Sequence, residues 1–182
     1  MATGKDVLII MGSVREGRRC QAIVEWVAAR RPIALSCEVV DLREWHLPMD
    51  DEAAVPATGE YTTEHTRAWS AKIGNANGFV IVTPQYNWGY PAPLKNALDH
   101  LYDEWEGKPL MLVTYGGHGG DKCARQLRSV ARALHMKVMW TSPALVISRA
   151  QILGAPFNAE SDLKRYERGI DKAWKQLERA LC

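Results

Sequence analysis

Apolar residues in this chain fall into two alternating patterns. Short unbroken runs of strand length occur at "KDVLIIM" (5–11), "CEVVDL" (37–42), "GFVIVTP" (78–84) and "PLMLVTY" (109–115). A fifth run, "MKVMWTSPALVI" (136–147), contains another strand, with Pro143 as the place where it can break. Between the runs, apolar positions recur at helical spacing. These stripes are Cys20, Ile23, Val24, Val27 and Ala28; then a helix around 64–75 with Trp69, Lys72 and Ile73 on one side. They continue at Leu94, Ala97, Leu98, Leu101 and Tyr102, then at Cys123, Leu127, Val130, Ala131 and Leu134. Leu163, Tyr166, Ile170, Trp174, Leu177 and Leu181 predict one closing helix. Residues 44–63, rich in Pro, Gly and acids, read as a long loop.

Unbroken apolar strands alternating with amphipathic helices predict an α/β fold, a parallel sheet covered on both faces. Two strand orders are common, the dinucleotide-binding one and 2-1-3-4-5, and both bind ligands beyond the carboxyl ends of the strands. The loops leaving those ends are 12–19, 84–92 and 115–121, each rich in Gly, Pro or polar residues.

Composition narrows the picture. A chain of 182 residues suits one domain, expected over 1–182, with no need of a disulfide or metal. A net charge of +2 gives no argument for nucleic acid. Cys20, Cys37, Cys123 and Cys182 form no C-x-x-C pair, and no leader or membrane span is visible. A cytoplasmic protein with reduced thiols is expected.

The first loop, "GSVREGRRC", starts like a nucleoside-triphosphate loop but ends differently. Arg18 and Arg19 stand where a triphosphatase carries Lys and a metal-holding Ser or Thr. The spacing of Gly12 and Gly17 also fails G-x-G-x-x-G, which weakens the dinucleotide order. A monophosphate needs only backbone N–H groups at a helix start, a hydroxyl and positive charge. Ser13 can donate, and Arg15 and Arg18 can fork onto phosphate oxygens; the bland alternative is a solvated basic turn. In the second loop, "PQYNWGYP", Gln85 and Asn87 offer amides, and Tyr86 and Trp88 flat faces, to a planar heterocycle. In the third, "YGGHGGDKC", four glycines let the backbone approach a flat ring.

Together, "GSVREGR", "PQYNWGYPAPLKNALDHL" with "EGKP", and "YGGHGGDKCARQLR" resemble the NAD(P)H-dependent FMN reductase family, which includes azoreductases and quinone reductases. "DLREWHLPMDDE" resembles the segment this family has after strand two. The resemblance implies a flavodoxin-like three-layer fold with a five-stranded parallel sheet in order 2-1-3-4-5. It implies FMN, with Ser13, Arg15 and Arg18 at the phosphate and Pro84, Gln85, Tyr86 and Asn87 along the ring. Tyr115, Gly116, Gly117 and Gly119 would lie beneath or beside that ring. NADPH or NADH would supply the hydride, and quinones, azo compounds or free flavin would accept two electrons in ping-pong order. A homodimer or homotetramer is implied, and Trp88 and Trp105, exposed-looking beside the second loop, agree with it; the other reading of Trp105 is a core residue.

The chain departs from the family at Gln85, where many members have Glu, and at Cys20, where many have Gly or Asn. No catalytic side chain is assigned; His118 is a weak candidate, since hydride transfer to a flavin needs no protein nucleophile. His46, His65, His100 and His135 show no metal-ligand spacing. An electron carrier of the same fold, or a flavin-dependent redox-sensing protein, are the competing readings.

Overall fold

A computed structural model describes residues 5–182; residues 1–4 of the expected domain lie outside the described residues. The chain runs β1 (Lys5–Met11), α1 (Cys20–Ala29), β2 (Leu35–Asp41), α2 (Glu64–Gly74), β3 (Gly78–Pro84) and α3 (Ala92–Asp99). It continues with β4 (Pro109–Gly116), α4 (Asp121–Ala133), β5 (Lys137–Val138), β6 (Ala144–Val146), α5 (Arg149–Ile152), α6 (Ala159–Asp162) and α7 (Glu167–Leu181). The strands are parallel in the order β2-β1-β3-β4-β5, the order expected, and β6 also pairs with β4.

The unbroken apolar runs are explained by burial on both faces. Val7, Ile9, Met11, Val80, Val82, Met111 and Val113 point into a core shared with α1 and α7. Their neighbours Leu8, Ile10, Phe79, Ile81, Leu110 and Leu112 point into a second core shared with α2, α3 and α4. This is the period of two expected of any strand, with apolar residues at both phases. Among the described residues, no helix is long and apolar enough to cross a membrane.

Two sequence expectations need correction, and the break anticipated in the fifth strand is located. The fifth strand is split: Lys137 and Val138 pair with Pro109 and Leu110, and pairing resumes only where Ala144 meets Thr114. Pro143 has no N–H to give, but its carbonyl accepts from Thr114 N at 3.0 Å. The excursion leaves Trp140 92% exposed. The closing helix is shorter than its stripe, because Leu163 and Tyr166 precede α7 in a separate turn. They keep its phase, and Leu163 is buried all the same. Trp105 is not exposed. It is fully buried, its ring centroid lies 4.9 Å from that of Phe79, and its Nε1 donates to Leu98 O at 3.2 Å.

Candidate functional site

The loops after β1, β3 and β4 converge on a cavity of about 460 Å³. Of the residues singled out in the sequence, Arg15, Arg18, Pro84, Gln85, Tyr86, Asn87, Tyr115, Gly116 and Gly117 are brought together in its lining. Ser13 and Gly119 are not among its lining residues. Ser13 is fully buried, and its hydroxyl lies 2.9 Å from the Tyr86 hydroxyl. Gly119 is tucked under its loop at φ +71°, where a Cβ would meet the Ala144 backbone at 3.1 Å. His118 is exposed and outside the lining.

The arginines of the first loop have divided duties. Arg18 is partly buried, with its side chain largely covered; it pairs with Asp41 at the end of β2 and donates to Ser13 O at 3.0 Å, so it ties the loop down. Arg19 donates to the carbonyls of Gln151 and Ala155. Arg15 is exposed and forms no ion pair among the described residues. Its guanidinium carbon lies 4.2 Å from the centroid of the Tyr86 ring, a cation–π contact. Arg15 is therefore the lining arginine with no carboxylate or carbonyl already bound, and it sits beside the start of α1, where backbone N–H groups lack helical partners.

Gln85 joins the second loop to the third. Its Oε1 accepts from the backbone N–H groups of Lys122 and Cys123, both at 3.1 Å. Only the oxygen of an amide can accept, so its NH₂ is the end left to meet a ligand. These are N–H groups of the first turn of α4, which a carboxylate would also satisfy. What the position requires is an acceptor, so Gln in place of Glu keeps the cap and removes the charge. Next to it, Tyr86 and Gly89 exchange two backbone hydrogen bonds of 2.9 Å around Asn87 and Trp88. Asn87 and Trp88 have φ of +48° and +70°. A tryptophan held in the left-handed region is strained, and such residues cluster at functional sites. Trp88 is 66% exposed, with the Lys122 ammonium 4.9 Å from its ring centroid.

Beneath the cavity lie neutral hydroxyl and thiol groups. Burial, then the neighbouring Cys20, push the Tyr115 phenol far above its usual range. Burial also raises the Cys20 thiol, and raises Cys123 to about 12. Cys20 and Cys123 are fully buried, packed on Val82 and Pro84 carbonyls, which matches a packing role rather than a redox one.

Arg19, Ile147, Ile152 and Gly154 also line the cavity and were not anticipated. A signal was present: Ser148 and Gln151 form a capping box that starts α5. A separate cavity of about 230 Å³ lies against α3, lined by Asp50, Asp51, Glu52, Asp99 and His100. It gathers none of the three loops, and among the described residues no group of side chains is arranged to hold a metal ion.

The strand order, the helices on both faces and a cavity at the carboxyl ends define a flavodoxin-like α/β protein. Solved structures agree on the fold: the flavoenzyme NAD(P)H:(acceptor) oxidoreductase of Paracoccus denitrificans superposes with a TM-score of 0.74 at 19% identity, covering 97% of this chain and 98% of that one. The family described as NADPH-dependent FMN reductase matches residues 6–150. An NAD(P)H-dependent FMN reductase of Schizosaccharomyces pombe is 49% identical over 94% of this chain and 88% of its own. One of Saccharomyces cerevisiae is 47% identical over 72% and 75%, and a quinone reductase of Escherichia coli 30% over 76% of each. The chain belongs to the NADPH-dependent FMN reductase family.

Proposed function

We propose that this chain holds FMN in the three-loop cavity, reduces it with NADPH or NADH, and passes two electrons to a small flat acceptor such as a quinone or an azo compound. The observation that carries the reading is Arg15, an uncommitted cation beside a helix start, on the rim of a cavity bordered by amides, aromatic rings and glycines. The residues present fit a phosphate monoester joined to a flat ring. Arg15 would meet the phosphate, together with N–H groups at the start of α1. Arg18 and Asp41 would hold that loop in shape, and Ser13 would fix the Tyr86 hydroxyl. Tyr86, Asn87 and the Gln85 NH₂ would border the ring, with Gly116 and Gly117 leaving room for its approach. When bound, FMN supplies the hydride chemistry, while the protein supplies position and field. All three loops serve one cavity, which supports the donor and the acceptor using it in turn.

The test is steady-state oxidation of NADPH and NADH with a panel of quinones and azo dyes. Turnover dependent on added FMN, with parallel double-reciprocal lines, is expected. Protein that quenches no FMN fluorescence and turns over no acceptor would overturn the reading.

The exposed Trp88 on its strained turn, next in sequence to the lining residue Asn87, supports a homodimer or homotetramer with subunit contact near the flavin. Light scattering at micromolar concentration should give at least twice the mass of one chain. A monomer there would count against this arrangement.

A further inference from the structure

The family match ends at residue 150, so most of the segment that Arg19 grips lies beyond it. That segment, 148–157, leaves β6 beside the third loop and runs across to the first. Ile147 and Ile152 bring apolar side chains to the cavity wall. The Cδ1 of Ile152 lies 3.6 Å from where a Cβ on Gly117 would stand, so this side chain reaches the glycine loop. Ile152 and Leu153 are nonetheless 54% and 75% exposed, and packing alone does not hold them.

Polar anchors do. On the far side, Asp162 accepts from Gln151 Nε2 and from Asn158 N, both at 2.8 Å. On the near side, one nitrogen of the Arg19 guanidinium donates to Gln151 O and, at 3.0 Å, to Ala155 O. The same guanidinium lies 5.4 Å from the centroid of the Phe157 ring. Gln151 O also accepts from Gly154 N at 3.2 Å, so the guanidinium adds a second donor at the turn that ends α5. Ala155 follows at the turn made by Gly154, whose φ is +114°.

We infer that Arg19 is a positioning residue that pins residues 148–157 as a strap along the cavity, with Ile152 as its apolar inner face beside the core residue Ile147, so that a flat ring bound there escapes slowly. The reading rests on FMN as the ligand proposed above. It assigns Arg19 to the strap and leaves the phosphate to Arg15, although both arginines belong to the same loop.

Hydrogen–deuterium exchange on the flavin-free protein tests the grip without any ligand. Arg19→Ala should speed exchange in peptides covering 148–157 and leave β1 and β3 protected. Stopped-flow binding tests the consequence: FMN should leave Arg19→Ala about tenfold faster, with its association rate little changed. Riboflavin, which lacks the phosphate, should show the same acceleration. Ile152→Ser keeps the grip and removes the apolar face, so it should raise flavin dissociation without loosening exchange. Unchanged exchange at 148–157 in Arg19→Ala overturns the inference. So does an affinity loss that disappears with riboflavin, which would make Arg19 a phosphate ligand. Wild-type protein that binds no flavin would overturn the proposed function, and the exchange result would still decide whether Arg19 holds the strap.

Discussion

Arg18→Ala is expected to lose about 3 kcal/mol of folding stability and to weaken FMN binding in the same variant. The two losses have one cause. The Arg18 side chain is 8% exposed and its partner Asp41 16%, so the pair is largely shut off from water. Removing the guanidinium leaves a carboxylate with little solvent and one remaining donor in hand, the backbone N–H of Arg43 at 3.0 Å. It also frees the Ser13 carbonyl, and with it the loop that shapes the phosphate end of the cavity. Arg15→Ala separates the two effects. Arg15 is exposed and forms no ion pair among the described residues, and its Tyr86 contact is a cation–π one, so its loss should leave the fold alone. A charge-assisted contact to phosphate is worth about 1.5–3 kcal/mol, so FMN affinity should drop about tenfold to over a hundredfold. Urea denaturation and FMN fluorescence titration of both variants measure this. If Arg18→Ala matches wild type in stability, the Arg18–Asp41 pair does not hold the loop.

The second large effect is expected at Gly120, the residue before α4. Its φ is +82°, and a Cβ there would stand 2.9 Å from the Thr114 Cβ and 3.3 Å from the Tyr115 N. The left-handed conformation costs a side chain about 1–2 kcal/mol, and forcing atoms into packed backbone about 1–3 more. Gly120→Ala should therefore destabilise by about 3 kcal/mol. The strain falls where Gln85 receives the N–H groups of Lys122 and Cys123, so the third loop and flavin affinity should suffer with it. Gly17→Ala is the matched control. It has φ +65° and nothing within 4 Å of its would-be Cβ, so only the backbone cost of about 1 kcal/mol applies. Equal losses at the two positions would mean that the Thr114 contact contributes nothing.

Much of this arrangement was legible in the residue pattern. Strands buried on both faces must be apolar at both phases of the pleat, so β1, β3 and β4 stand out as unbroken runs. The Ser148–Gln151 capping box was also there to be read, although α5 is too short to show a periodic stripe. The split of the last strand was half visible: Pro143 marked the break, but not the return to β4 at Ala144. Trp105 misled because a tryptophan among Asp, Glu and Gly looks exposed. Burial follows what the fold packs on the ring, and here that is Phe79 and Trp69.

The sequence by itself determined the alternation of strands and helices, the three loops at the carboxyl ends, and the chemistry those loops can offer. Periodicity and turn residues act over a few positions, and a single chain displays them directly. Only the tertiary structure decided which loop residue does what. Arg15, Arg18 and Arg19 are the same residue type within five positions. They differ because the fold brings Asp41, 23 residues away, to Arg18, and Gln151, 132 residues away, to Arg19, while Arg15 meets an aromatic face. A guanidinium's role is set by the acceptors within its reach, and for two of these three the acceptors come from distant parts of the chain.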